Sequence, residues 1–225
     1  MPAEIEAALN ERFVVKLNES DELTDSATII ERAKGASVLL VTATERIDGN
    51  VLRALSPTLK TVATLSVGYD HIDLPTAREL GIEVLHTPDV LSDACAEVAL
   101  MLLLNAARRG YEADRMVRSG QWPGWAPTQL LGKGLVRKRL GIFGMGRIGR
   151  AIATRARAFG MQIHYHNRSQ LGPEDAEGAI YHATLEGLCR HSDMLLVAAP
   201  GSPQLKGALD QVHIRALPPG AVVAN

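Results

Sequence analysis

Cysteine is almost missing from this chain. Only Cys95 and Cys189 occur, far apart and in no metal-type or redox-type spacing, which excludes a disulfide-built scaffold or a thiolate metal site. Two buried free thiols in a reducing, cytoplasmic setting are expected instead. A surplus of charge of either sign is missing too: 24 Lys and Arg face 25 Asp and Glu, a formal net charge of −1. Neither nucleic acid nor an anionic membrane is therefore expected as a partner. Long apolar runs are absent. The longest, Val98 to Leu104, falls far short of the roughly 20 residues that span a bilayer. The opening MPAEIEAALNERF has acidic residues and no basic-then-apolar layout, so no secretion signal is expected. The 7 histidines show no ligand spacing, and no metal site is expected.

What is present is a soluble composition, 46% hydrophobic over 225 residues, enough for one or two cores. Short β-branched runs alternate with longer helical patterns, a rhythm that predicts βαβ units and parallel sheets. The first part predicts strands at Phe13–Leu17, Ser37–Thr42, Thr61–Leu65 and Glu83–His86, with helices over Asp25–Lys34 and Leu74–Leu80. A long helix follows over Ala94–Arg109, N-capped by Ser92 or Asp93. It is apolar on most faces, which predicts burial between domains or subunits. Gln121–Lys138 holds both tryptophans and reads as an ordered loop. The second part predicts strands at Arg139–Phe143, Gln162–His166, Ala179–His182, Met194–Ala198 and Val222–Ala224. Its helices are predicted over Arg147–Phe159, Leu185–His191 and Gln211–Ala216. A domain boundary is expected near residues 90–95.

Residues 144–149 read GMGRIG between a predicted strand and a predicted helix. In that setting Gly144 permits a tight turn, Gly146 admits a pyrophosphate against backbone (with Met145 between them), and Gly149 lets helix and strand approach. The amides of Arg147 and Ile148 then face the phosphates at the positive end of the helix dipole. The second strand ends 18 residues past Gly149, in His166-Asn167-Arg168-Ser169, without the carboxylate that would accept from a ribose 2′-OH. Asn167 is neutral, Arg168 can pair with a 2′-phosphate and Ser169 can donate to it, which favours NADP(H) over NAD(H).

Together these residues resemble the D-isomer-specific 2-hydroxyacid dehydrogenases, with the glyoxylate/hydroxypyruvate reductase branch as the nearest likeness. Five collinear segments carry the resemblance: TLSVGYDHIDL (64–74), GIEVLHTPDVLSDACAEVALMLLLNAARR (81–109), LGIFGMGRIGRAIATRARAFGMQIHYHNRS (140–169), SDMLLVAAPGSPQL (192–205) and LPPGAVVAN (217–225). It implies an α/β architecture. A flavodoxin-like substrate lobe over residues 1–92 would precede a Rossmann-type, doubly wound nucleotide-binding lobe over 93–225. It further implies hydride transfer between nicotinamide and a small 2-keto or 2-hydroxy acid, and a homodimer formed through the nucleotide-binding lobe.

By the same resemblance, the backbone of Val67 and Gly68 would hold the substrate carboxylate, Ala199 and Pro200 would line the cofactor's ribose side, and Gln121-Trp122 would lie near the subunit interface. The family's catalytic Arg, Glu and His align beyond Asn225, and its first strand aligns before residue 1. The expectation is thus an incomplete pair of lobes, truncated at both ends. Two functions follow: an NADP-dependent 2-keto acid reductase, or a non-catalytic NADP-binding or dimerisation module derived from one.

Overall fold

The structure is a computed structural model that describes residues 3–18, 22–201 and 203–225. The chain divides into two compact units, Met1–Pro88 and Asp89–Asn225. Among the described residues, no helix is long and apolar enough to cross a membrane.

The first unit contains helices α1 (Ala3–Asn10), α2 (Ser26–Ala33), α3 (Gly49–Leu55) and α4 (Leu74–Glu79), with strands β1 (Val38–Thr42), β2 (Thr61–Leu65) and β3 (Glu83–Leu85). The strands form a parallel sheet in the order β1-β2-β3. Alternate residues such as Val41 and Val62 turn to a core made with Ile47, Val51, Leu52, Leu55 and Leu59. Aspartates start three of the helices. Asp25, Asp48 and Asp73 each accept from amides of the following turn, satisfying donors that have no partner inside a helix.

Two expectations need correction here. Phe13–Leu17 forms no strand: residues 14–18 are irregular, and Phe13 and Val14 are exposed. Among the described residues that run pairs with no strand, and β propensity acts only where a neighbouring strand offers a surface to pack on. Conversely, α3 was not anticipated, because seven residues opening on Gly-Asn carry little helical periodicity.

The second unit begins with α5 (Ser92–Arg108) and α6 (Gly110–Arg118). It continues as β4 (Arg139–Phe143), α7 (Arg147–Ala158), β5 (Gln162–His166), α8 (Pro173–Ala176), β6 (Ile180–Tyr181), α9 (Leu185–Arg190), β7 (Met194–Val197), α10 (Gln211–Ala216) and β8 (Val222–Ala224). All strands are parallel, in the order β6-β5-β4-β7-β8. This is the parallel βαβ arrangement predicted from the alternation of elements, in the Rossmann-like form that the resemblance implies.

Helix α5 departs from expectation at its start. Leu91 takes the N-cap position without a side-chain bond, so neither Ser92 nor Asp93 caps it. Only one stripe is buried: Ala96, Leu100, Leu103 and Ala107, at helical spacing, pack into the core with Leu140, Ile142 and Ile152. Val98, Met101 and Leu102 face outward and are exposed. Helix α6, which had no counterpart in the sequence reading, follows a chain reversal at Arg109, whose φ is 56°.

Candidate nucleotide-binding and substrate-loop sites

The chain runs from β4 outward to β5 and β6, then crosses back to β7 and β8 on the other side of β4. The carboxyl ends of β4 and β7 therefore flank a topological switch point, where open parallel sheets leave a crevice for ligands. GMGRIG lies there. Gly144 has φ +100°, and an added Cβ would stand 2.4 Å from the amide nitrogen of Ala199, so only glycine makes this turn beside the β7 loop. That contact also places Ala199 and the exposed Pro200 at the rim of the crevice. At Gly149 a Cβ would lie 2.3 Å from the Gly144 carbonyl, so the missing side chain is what lets α7 lean on the turn. Gly146 differs: a Cβ there meets nothing within 4 Å.

Gly146 caps the 12-residue α7 with backbone alone, since no side chain accepts from the first turn. Open space therefore adjoins the positive end of the helix, next to the amides of Arg147 and Ile148, an arrangement that suits a diphosphate. The Arg147 side chain lies 2.5 Å from the Asp89 carboxylate, and Asp89 itself holds a left-handed φ of 71°. The end of β5 braces the loop from below. Asn167 Oδ1 accepts from the Met145 amide at 2.7 Å, and its Nδ2 donates to the Met145 carbonyl at 3.5 Å. Beyond it Arg168 and Ser169 are exposed, and among the described residues Arg168 has no ion-pair partner.

Histidines on the same sheet have structural employment. His166 Nδ1 lies 2.8 Å from the His182 carbonyl, and its ring stacks on Phe143. His164 is buried, with Nδ1 2.9 Å from His182 Nε2 and no partner for its own Nε2. The His182 and His191 rings lie 4.9 Å apart, completing a three-ring group that sequence spacing did not reveal. Burial first, then the neighbouring His182, lowers the His164 pKa to about 4. Nearby, Arg139 grips Asp193 with two nitrogens, and this hydrogen bonding lowers the Asp193 pKa to about 2. Among the described residues no group of His, Cys, Asp or Glu is arranged to hold a metal ion.

The second candidate site lies in the first unit, where the Ser66-Val67-Gly68 loop leaves β2. Ser66 Oγ donates to the Gly68 carbonyl at 2.6 Å and lies 2.7 Å from Thr64 Oγ1, which in turn lies 3.0 Å from His71 Nε2. Each hydroxyl has one proton, so the donation runs one way, from His71 through Thr64 and Ser66 to Gly68. His71 thus braces this loop, while the cap of the next helix falls to Asp73. His86, just past β3, places Nδ1 3.0 Å from the Val67 carbonyl.

Known proteins bear directly on both loops. The family described as D-isomer specific 2-hydroxyacid dehydrogenase, NAD binding domain, matches residues 100–225. The glycerate dehydrogenase of Hyphomicrobium methylovorum is 36% identical over 227 residues, covering 100% of this chain and 70% of that protein. A glyoxylate reductase of Thermococcus kodakarensis is 38% identical over 221 residues, covering 96% of this chain and 66% of the relative.

The chain belongs to the D-isomer-specific 2-hydroxyacid dehydrogenase family.

A crystal structure from Polaromonas sp. JS6 66, described as a D-isomer specific 2-hydroxyacid dehydrogenase, superposes with a TM-score of 0.93 at 65% identity, covering 99% of this chain and 70% of that one. The chain thus spans about two thirds of the length of these dehydrogenases, including the whole GMGRIG turn and both strands beside it. By family, the protein is an oxidoreductase with a nicotinamide-nucleotide-binding domain.

Proposed function

We propose that this protein serves NADP(H)-dependent interconversion of small 2-keto acids, of the glyoxylate or hydroxypyruvate type, and D-2-hydroxy acids. The observation that carries the cofactor half is the pairing of an α7 terminus capped by backbone alone and open at Gly146 with Arg168 at the end of β5, exposed and without an ion-pair partner among the described residues. In this reading residues 93–225 form the nucleotide-binding lobe and residues 1–92 the substrate lobe. The bound nucleotide supplies or accepts the hydride. The amides of Arg147 and Ile148 hold its diphosphate, Arg168 and Ser169 hold the 2′-phosphate, and Ala199 and Pro200 line its ribose side. Asn167 keeps the loop in shape through Met145. The Val67 and Gly68 amides bind the carboxylate of the acid, leaving its carbonyl carbon for hydride transfer. We place the protein in the cytoplasm and assign it a homodimer, formed through the exposed apolar face of α5.

Titration of the protein with NADPH and NADH, followed by assay with glyoxylate, tests this reading. Arg168→Ala should weaken NADPH binding about 10- to 100-fold, the worth of a charge-assisted hydrogen bond, and NADH binding less than about twofold. Equal losses for both nucleotides would remove the phosphate role. Turnover of glyoxylate supports the reductase, whereas tight NADPH binding without turnover identifies a non-catalytic NADP-binding module.

A further inference from the structure

The loop read above as the carboxylate site is shaped by a group outside it. A trans peptide points its C=O and the following N–H in opposite directions. Whatever holds the carbonyl of one residue therefore aims the amide of the next. The Val67 carbonyl is held by His86 Nδ1 at 3.0 Å, which turns the Gly68 N–H away from His86. The Gly68 carbonyl is held by Ser66 Oγ at 2.6 Å, which turns the Tyr69 N–H outward in the same manner. One residue earlier, the Ser66 carbonyl accepts from the Thr87 amide at 3.0 Å. The two-residue segment His86-Thr87 thus secures two consecutive carbonyls of the loop. Among the described residues no group accepts from the amides of Val67, Gly68 or Tyr69, so these donors are left for a ligand.

His86 is itself fixed. A carbonyl oxygen only accepts, so Nδ1 carries the proton. The Tyr69 ring meets the imidazole edge-on at 5.2 Å and 83°, which limits rotation about its side-chain bonds.

We infer that His86 is a positioning residue for the anion-binding loop: its ring N–H holds the Val67 carbonyl and so aims the Gly68 amide at the carboxylate of a 2-keto acid. This rests on the reading of Val67 and Gly68 given under the proposed function. The role needs a donor at the δ position and no particular charge. Asparagine offers Nδ2 at the same bond distance from Cα, while leucine keeps a similar bulk without a donor.

The test uses the full chain labelled with 15N and held with NADP+, which has no hydride to give to the keto acid, and titrated with glyoxylate. In the wild type the Gly68 and Tyr69 amide signals should shift with glyoxylate. His86→Asn should keep the glyoxylate Kd within about twofold, while His86→Leu should raise it about five- to tenfold, the factor carried by one neutral hydrogen bond. The NADP+ Kd should stay constant in all three. If His86→Leu binds like the wild type with the same Gly68 shift, or if Asn and Leu weaken binding equally, the positioning role is wrong although the carboxylate reading stands. If the wild-type amides of residues 67–69 do not respond at all, the carboxylate reading itself falls and takes this role with it. Should leucine disturb the spectrum beyond the loop, His86→Ala provides the donor-free arm of the same comparison.

Discussion

A buried imidazole with an unsatisfied nitrogen records its environment in the pH dependence of folding. His164 is 5% exposed, stacked near His182 and His191, with the Arg139–Asp193 pair close by. Its folded pKa of about 4 lies below the ordinary imidazole value of about 6.5, so the native state refuses a proton that the unfolded chain accepts. Stability is therefore complete above the unfolded value, falls as pH drops from about 6.5 toward 4, and loses up to about 3 kcal/mol from this group. Denaturation midpoints measured between pH 7.5 and 4.5 should show this decline, and His164→Phe, which cannot titrate, should flatten it. An equally steep decline in the variant would assign the effect elsewhere. The sequence places His164 and His166 two apart, the spacing of residues that share a strand face. It could not show the three-ring group, because His182 and His191 arrive from different elements and only packing brings them together.

At the scale of elements, the turn between β4 and α7 was readable because strict physical demands leave marks in the sequence. A turn at positive φ and a close helix approach each require glycine at one place, and Gly144 and Gly149 of GMGRIG meet these two demands between a strand and a helix. The bounds of β4, β5, α10 and β8 were also readable, because their runs end at Gly144, Asn167, the Leu217-Pro218 step and Asn225, residues that punctuate strands and helices. Less was legible where tertiary context decides. FVVKL has strand composition and no strand, while α3 is short, although Asp48, which accepts from the amides of Asn50 and Val51, was a usable start signal. Two of the loop glycines should now separate by substitution. Gly149→Ala forces a methyl group against the Gly144 carbonyl and should cost about 1–3 kcal/mol of stability, seen as a lower thermal midpoint. Gly146→Ala enters open space and should leave the midpoint nearly unchanged while weakening NADPH binding. Matching losses of stability in both would show that the space above Gly146 is not where the nucleotide lies.

For the molecule as a whole, the outward face of α5 is the feature that a single chain does not explain. Val98 is 51% and Met101 52% exposed on a helix whose other side is fully packed, and Trp122 and Trp125 are exposed in the loop beyond α6. Apolar area of this kind is costly in water and marks an interaction surface. Light scattering should report a dimer for the wild type, and Met101→Glu should shift it to monomer without loss of helical circular dichroism. An unaltered dimer would move the interface elsewhere. The apolar character of α5 was plain in the sequence, but which side is buried depends on packing that no linear pattern specifies. The brace at Asn167 has a consequence for changing which nucleotide the whole protein draws on. An acid at that position would retain an acceptor for Met145 but lose the donor to its carbonyl, setting two oxygens against each other at the base of the turn. On the proposed NADP(H) reading, redesign toward the unphosphorylated dinucleotide therefore belongs at Arg168 and Ser169, leaving the amide beneath the loop untouched.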